Sequence, residues 1–155
     1  MAKSSQPSVT DLLKTAEVEL DKIFVGKVPA LPDNVKEIIV KLAPWFAVIS
    51  MILMLPLILA FLGLGAVVMP FSYLGGLHAG FSYTLSLIFS VILIVIELMA
   101  IPGLFKRQEK AWRLMFYSTL ISLVEQLFSF NLGGLVIGGA ISFYFLFQVR
   151  SKYTK

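Results

Sequence analysis

The chain has 155 residues, 58% hydrophobic and 14% charged, with a mean hydropathy of +0.89 and a net charge of +4. Soluble domains are about half apolar and roughly a quarter charged, so lipid rather than water is the expected solvent for most of this surface. Cysteine is absent and histidine occurs once, as His78, which excludes disulfides, thiolate chemistry and an all-histidine metal cluster within one chain.

Residues 1–8 read as a flexible start. From Val9 to Phe24 the residues Val9, Leu12, Leu13, Ala16, Leu20, Ile23 and Phe24 recur at helical spacing with charges between them, an amphipathic pattern. Thr10 is the expected N-cap, and Gly26 and Pro29 end the segment. Residues 1–31 thus form an amphipathic N-terminal segment, expected on the cytoplasmic side. It is nearly neutral, so adsorption to anionic lipid is weak, and packing on a partner or a second copy is favoured. Residues 1–42 lack the apolar core and small-residue cleavage site of a signal peptide. The first span is therefore expected to serve as its own insertion signal.

Residues 32–155 read as a transmembrane domain. Pro32-Asp33 restarts a helix, a bend is expected at Pro44, and Trp45 suits the interfacial belt. Four spans follow, at about 45–69, 81–105, 111–130 and 132–149, each near the length that crosses ~30 Å of hydrocarbon. Pro56 is expected to kink the first. Residues 70–80, with Gly75, Gly76, Gly80 and His78, read as a loop, in which His78 is an ordinary polar residue. Asn131-Leu132-Gly133 reads as a tight turn. The last two apolar segments are the shortest, and a re-entrant hairpin competes with two full spans there.

Charge sets the orientation. Residues 1–42 are balanced, whereas segment 106–113 carries Lys106, Arg107, Lys110 and Arg113 against Glu109, and the tail carries Arg150, Lys152 and Lys155. Both opposite loops lack Lys and Arg. By the positive-inside rule both termini are cytoplasmic, in a plasma (inner) membrane. The fold class is accordingly all-α: a four-helix transmembrane bundle preceded by an amphipathic cytoplasmic helix.

Two carboxylates fall inside the expected spans. Glu97 lies nine residues before Lys106, or ~13 Å by helical rise; Glu125 lies twelve after Arg113, or ~18 Å. Ionisable groups at such depth usually face protein or water. Ser86 and Ser90 share a face with Glu97, while Ser118 and Ser122 share one with Glu125, with Gln126 beside it. On the fourth span Gly134, Gly138 and Ser142 align in a GxxxG-type stripe that permits close helix packing. These faces are expected to meet inside the bundle.

No nucleotide-binding glycine loop, zinc-binding HExxH or serine elbow occurs, and no pattern of basic and aromatic residues points to nucleic acid. The composition implies no cofactor and no metal. The reading is a small structural, accessory or interaction protein without enzymatic activity, whose partners are the bilayer and another membrane protein or a second copy. The alternative is a minimal proton- or cation-linked transporter or channel using Glu97 and Glu125.

Overall fold

A computed structural model describes residues 8–154, so most of the expected flexible start lies outside the described residues. The chain is all-helical, with no strand among the described residues. Helix α1 spans Val9–Phe24 and α2 Asp33–Ser72; a 3-10 turn, Tyr73–Gly75, leads into α3, Leu77–Phe105. Helix α4 spans Glu109–Phe128, a π-helical segment covers Gly134–Gly138, and α5 spans Gly139–Val149 before a last 3-10 turn, Arg150–Lys152. Among the described residues, Leu77–Phe105 and Gly134–Lys152 are long and apolar enough to cross a membrane. Two of the four expected spans meet that requirement there.

Helix α1 has the expected range, but its cap lies two residues earlier than expected. Ser8, not Thr10, is the N-cap: its hydroxyl accepts from the Asp11 amide while the Asp11 carboxylate accepts from the Ser8 amide. This reciprocal pairing satisfies donors that a helix start leaves free. The Ser8 hydrogen bonds also hold the Asp11 carboxyl below its ordinary value.

Helix α2 runs unbroken for 40 residues through Pro44, Pro56 and Pro70, so Pro44 is not a boundary between an approach helix and a span. Each proline removes one backbone donor, a local loss that the flanking turns outlast.

The residues expected to form the 70–80 loop are mostly helical. Gly76, at φ +106°, makes the reversal, and α3 begins one residue later. Its amide bonds to the Tyr73 carbonyl at 3.0 Å. The other two reversals use left-handed non-glycine residues. At the end of α3, Arg107 has φ 54°, with Arg107 N–H donating to Leu104 and Gln108 N–H to Gly103. At the end of α4, Phe130 has φ 53°, with Phe130 N–H donating to Leu127 and Asn131 N–H to Gln126. Both are the paired closure that satisfies the last free carbonyls of a helix.

The register between neighbours follows from close approaches. Trp45 meets Phe105 edge-on at 5.4 Å, and Gly65 lies beside Tyr83 and Leu87, so α2 and α3 are antiparallel. Gly103 lies against Ala111 and Phe89 stacks near Phe128, so α3 and α4 are antiparallel. Trp112 meets Phe147, Phe116 meets Phe143, and Leu123 meets Gly139, so α4 and α5 are antiparallel too. The result is an up-down bundle. The start of α2, the α3–α4 turn and the end of α5 lie at one end, which carries most of the charge. His78, 6.0 Å from the Phe130 ring, marks the other end.

The core sits toward the charged end, around Trp112, Phe116 and Phe147, with Val40 and Leu104 beside them. Large apolar side chains elsewhere on α2 and α3, such as Leu64, Val67, Val95 and Met99, are exposed.

Gly63 and Gly76 both have open space where a Cβ would stand, but only Gly76 has a positive φ. Gly76→Ala is therefore expected to cost about 1–3 kcal/mol through backbone strain alone. Gly63→Ala, in a helix, should instead be neutral or stabilising by up to about 1 kcal/mol. Thermal unfolding of the two variants in the same detergent checks this contrast.

Candidate functional site

Helix termini leave backbone groups without partners, and at the charged end three side chains supply them. At the end of α5 the Arg150 amide bonds to Phe147 rather than Leu146. The Leu146 carbonyl instead accepts from the Trp112 indole at 2.8 Å. Gln148 is buried at 3% exposure. Its amide nitrogen donates to the Phe24 carbonyl at 2.8 Å, and its oxygen accepts from the Leu31 amide at 3.0 Å. Tyr144 donates to the Pro29 carbonyl at 3.0 Å. One face of α5 thereby holds the whole linker between α1 and α2.

Charge pairing follows the same layout. The Arg150 guanidinium binds Glu17, and also Asp21 at 2.7 Å, both on α1. It lies over the Trp112 ring, 4.8 Å from the centroid, a cation–π arrangement. Glu17 is buried, and Arg150 is the cation that balances it. Phe24 packs on Phe143 and Phe147. The amphipathic helix therefore packs against α5 of its own chain.

Arg107 grips Glu37 with two nitrogens at 2.5 and 3.3 Å. The Arg107 hydrogen bond holds the Glu37 carboxyl below its ordinary value, against opposing desolvation. Burial pushes the Tyr153 phenol up, partly offset by the Arg107 charge. Lys152 approaches Asp33 at 3.6 Å, tying the tail to the start of α2.

The sequence-selected polar residues are not gathered into one path. The Gly103–Ala111 and Phe89–Phe128 approaches set positions 117 to 120 of α4 opposite Glu97, so Glu125 lies five to eight residues, or ~8–12 Å, further along the bundle. Glu97 is exposed and Glu125 half-buried, and among the described residues neither makes a hydrogen bond or ion pair. Ser86, Ser90 and Ser122 are half-buried. Ser118 is buried, with its hydroxyl donating to the Met115 carbonyl of its own helix at 2.9 Å. That bond uses the hydroxyl within α4 rather than across to a neighbour.

The GxxxG stripe is also redistributed. Gly134 lies against the Gln126 and Asn131 side chains, and its amide donates to Asn131 at 3.0 Å. Gly138 has open space beside it, and Ser142 is exposed. Beside the Gly134–Gln126 approach, a second close contact with α4 is made by Gly139 rather than Gly138: a Cβ on Gly139 would stand 2.7 Å from Leu123. The π-helical segment explains the change: its wider turns displace the faces that α-helical spacing assigns.

A hollow lies between α2, α3 and α4. It is about 400 Å³, lined by Ala47, Ser50 and Met51 of α2, Glu97 and Ile101 of α3, and Met115 of α4. A second hollow of about 290 Å³ shares Ala47, Leu104 and Met115 with it and runs to Trp112, Phe145 and Tyr153 at the charged end. Small side chains account for the space: Ala43 and Ala47 on α2 face Thr119 and Ser142 across the seam. Glu97 thus stands, exposed, where the apolar groove ends away from the charged end, and Glu125 lines neither hollow. Among the described residues no cluster of three His, Asp or Glu side chains could hold a metal.

No family model, curated relative or solved structure matches the chain.

Arg150→Ala should release α1, because it leaves Glu17 buried without its cation. The pair is partly exposed, so the expected cost is about 1–2 kcal/mol, between surface and buried values. Trypsin cleavage at Lys22 and Lys27 in detergent should accelerate roughly tenfold. Arg150→Lys should give a smaller effect, since it keeps the charge but not the fork.

Proposed function

We propose that the chain is an integral membrane protein in which α2 from about Trp45, α3, α4, and α5 with its π-helical lead cross the bilayer, with the α3–α4 turn and the C-terminus on the cytoplasmic side of a plasma (inner) membrane, and with α1 running from that side toward the other, where Val9 meets Leu127 and Leu135. Its role is that of a structural, accessory or interaction protein rather than an enzyme. The topology rests on the separation of charge, with basic residues at one bundle end and none in the reversals at the other.

The observation that carries the interaction role is the placement of α1. Its Phe24 end lies on Phe143 and Phe147, while Val9 and Leu12 share an apolar gap of about 490 Å³ with Leu127 and Leu135. Helix α1 therefore runs along the flank of α4 and α5 instead of lying across their ends. Its outer face exposes Asp11, Lys14, Glu19 and Lys22. Charges at membrane depth cost about 2.5–3.5 kcal/mol each on insertion scales. Lipid does not suit that flank, whereas a neighbouring subunit or a watery recess does. Lipid does suit the exposed apolar faces of α2 and α3.

A second reading is a minimal proton- or cation-linked transporter or channel, supported by the groove that leads to Glu97. An offset of ~8–12 Å along the bundle separates Glu125 from Glu97, and Glu125 does not line the groove, so this reading rests on Glu97.

The absence of cysteine makes single-cysteine labelling clean. Cysteines replacing Lys106 and Thr154 should react with an impermeant maleimide from the cytoplasmic side, and cysteines replacing Leu74 and Asn131 from the opposite side. Lys14→Cys and Glu19→Cys should label from water or crosslink to a neighbour, while Leu64→Cys should stay unlabelled. A tail on the side opposite Lys106 would overturn the topology. Lys14 and Glu19 positions as unreactive and uncrosslinked as Leu64 would overturn the interaction role.

A further inference from the structure

We infer that the groove ending at Glu97 is a binding site for a lipophilic monovalent cation, an organic cation with an apolar body whose charge is balanced by the Glu97 carboxylate. This inference rests on the second reading above and narrows it to a ligand class.

Three observations converge on the site. Glu97 has neither ion-pair nor hydrogen-bond partner among the described residues, so no cation of the chain balances its charge. The basic groups of the charged end stand away from it: Lys106 lies nine residues along the helix, or ~13 Å, and Arg107 is paired with Glu37. The walls around the carboxylate are apolar and soft, formed by Met51, Ile101, Leu104 and Met115, with Ser50 the other polar side chain of that hollow. The adjoining hollow then presents Trp112, Phe145 and Tyr153 toward the charged end.

These features select among cations. Hard metal ions need six or more oxygen ligands, or several retained waters, and Glu97 with Ser50 cannot supply that shell. An organic cation spreads its charge over apolar groups, loses little hydration, and buries those groups against methionine and leucine. A neutral molecule of the same shape would fill the hollow but leave the carboxylate without a counter-charge.

The test uses the full chain in neutral detergent, with tetraphenylphosphonium as cationic probe and triphenylphosphine oxide as neutral probe, by titration calorimetry. Wild type should bind tetraphenylphosphonium. Glu97→Gln should weaken that binding at least tenfold and leave the weaker binding of the neutral probe unchanged. Glu97→Asp, which keeps the charge but withdraws it by one methylene, should fall between them and guards against misfolding of the amide variant. Ala47→Leu should weaken both probes by narrowing the hollow, and Glu125→Gln should weaken neither. Failure of wild type to bind the cation, equal binding by Glu97→Gln, or parallel loss of both probes in Glu97→Gln would overturn the inference. Proton flux into reconstituted vesicles that is lost in Glu97→Gln, without tetraphenylphosphonium binding, would overturn the ligand class while supporting the cation-linked reading.

Discussion

The contact on which the arrangement of this chain turns is the Arg150 guanidinium, held between the Trp112 ring and the α1 carboxylates of Glu17 and Asp21. A buried carboxylate such as Glu17 is tolerable only with a partner, so α1 can dock only where Arg150 is presented. Arg150 is presented there because α5 tightens into a 3-10 turn at its end. That tightening strands the Leu146 carbonyl, which Trp112 then satisfies through its indole N–H. The same tryptophan thus fixes the helix end by its edge and the cation by its face. Gln148 completes the arrangement by supplying both a donor and an acceptor to the linker. With these groups joined, the Phe24 end of α1, the turn after α5 and the start of α4 become one unit, although most of their contacts are far apart in sequence.

Small residues have opposite consequences in different parts of the bundle. Between α3 and α4, Gly103 and Ala111 bring the backbones together, and a three-residue turn directly connects the two helices. Between α4 and α5, Gly139 admits Leu123 in the same way. Along the seam between α2 and α5, Ala43, Ala47 and Ser142 leave space instead. Those helices are not consecutive and are pinned mainly at one end, through Tyr153 and the Lys152–Asp33 contact. With nothing drawing them together further along, small side chains leave a groove rather than close a gap.

Much of this fold was legible in hydropathy and charge. The amphipathic spacing from Val9 to Phe24 marks α1, and the basic cluster at Lys106–Arg113 marks the α3–α4 turn to within a few residues. The misplaced features share a cause, because each is decided by backbone geometry that spacing does not carry. Proline at 44 signals a broken donor but not whether the turns around it hold. The GxxxG stripe assumes 3.6 residues per turn, which the π-helical segment violates, so Gly139 rather than Gly138 faces Leu123. Arg113 lies a full turn inside α4, so distance along the chain from Arg113 understates the depth of Glu125. Trp112 carries no signal of its own in the sequence, whereas Gln148, an amide in an apolar run two residues before an arginine, does: buried, it must find partners. Glu97 was legible as an intramembrane carboxylate, while the groove was not, since it depends on helices whose contact is not local.

The groove and the α1 seat use adjacent faces of the same two helices. Phe143 and Phe147 of α5 turn toward α1, while Ser142, Leu146 and Val149 line the groove. On α4, Leu120 and Leu123 border α1, and Met115 and Thr119 border the groove. A shift of α5 that widens the groove therefore moves Arg150 and Gln148, the two residues that hold α1 and its linker. If occupation of the groove and docking of α1 favour different positions of α5, each must weaken the other by the same free energy. Close packing makes such shifts stepwise rather than gradual. The structural role proposed for the α1 flank and the ligand role proposed for Glu97 are then two biases on one element, and α5 is where they meet.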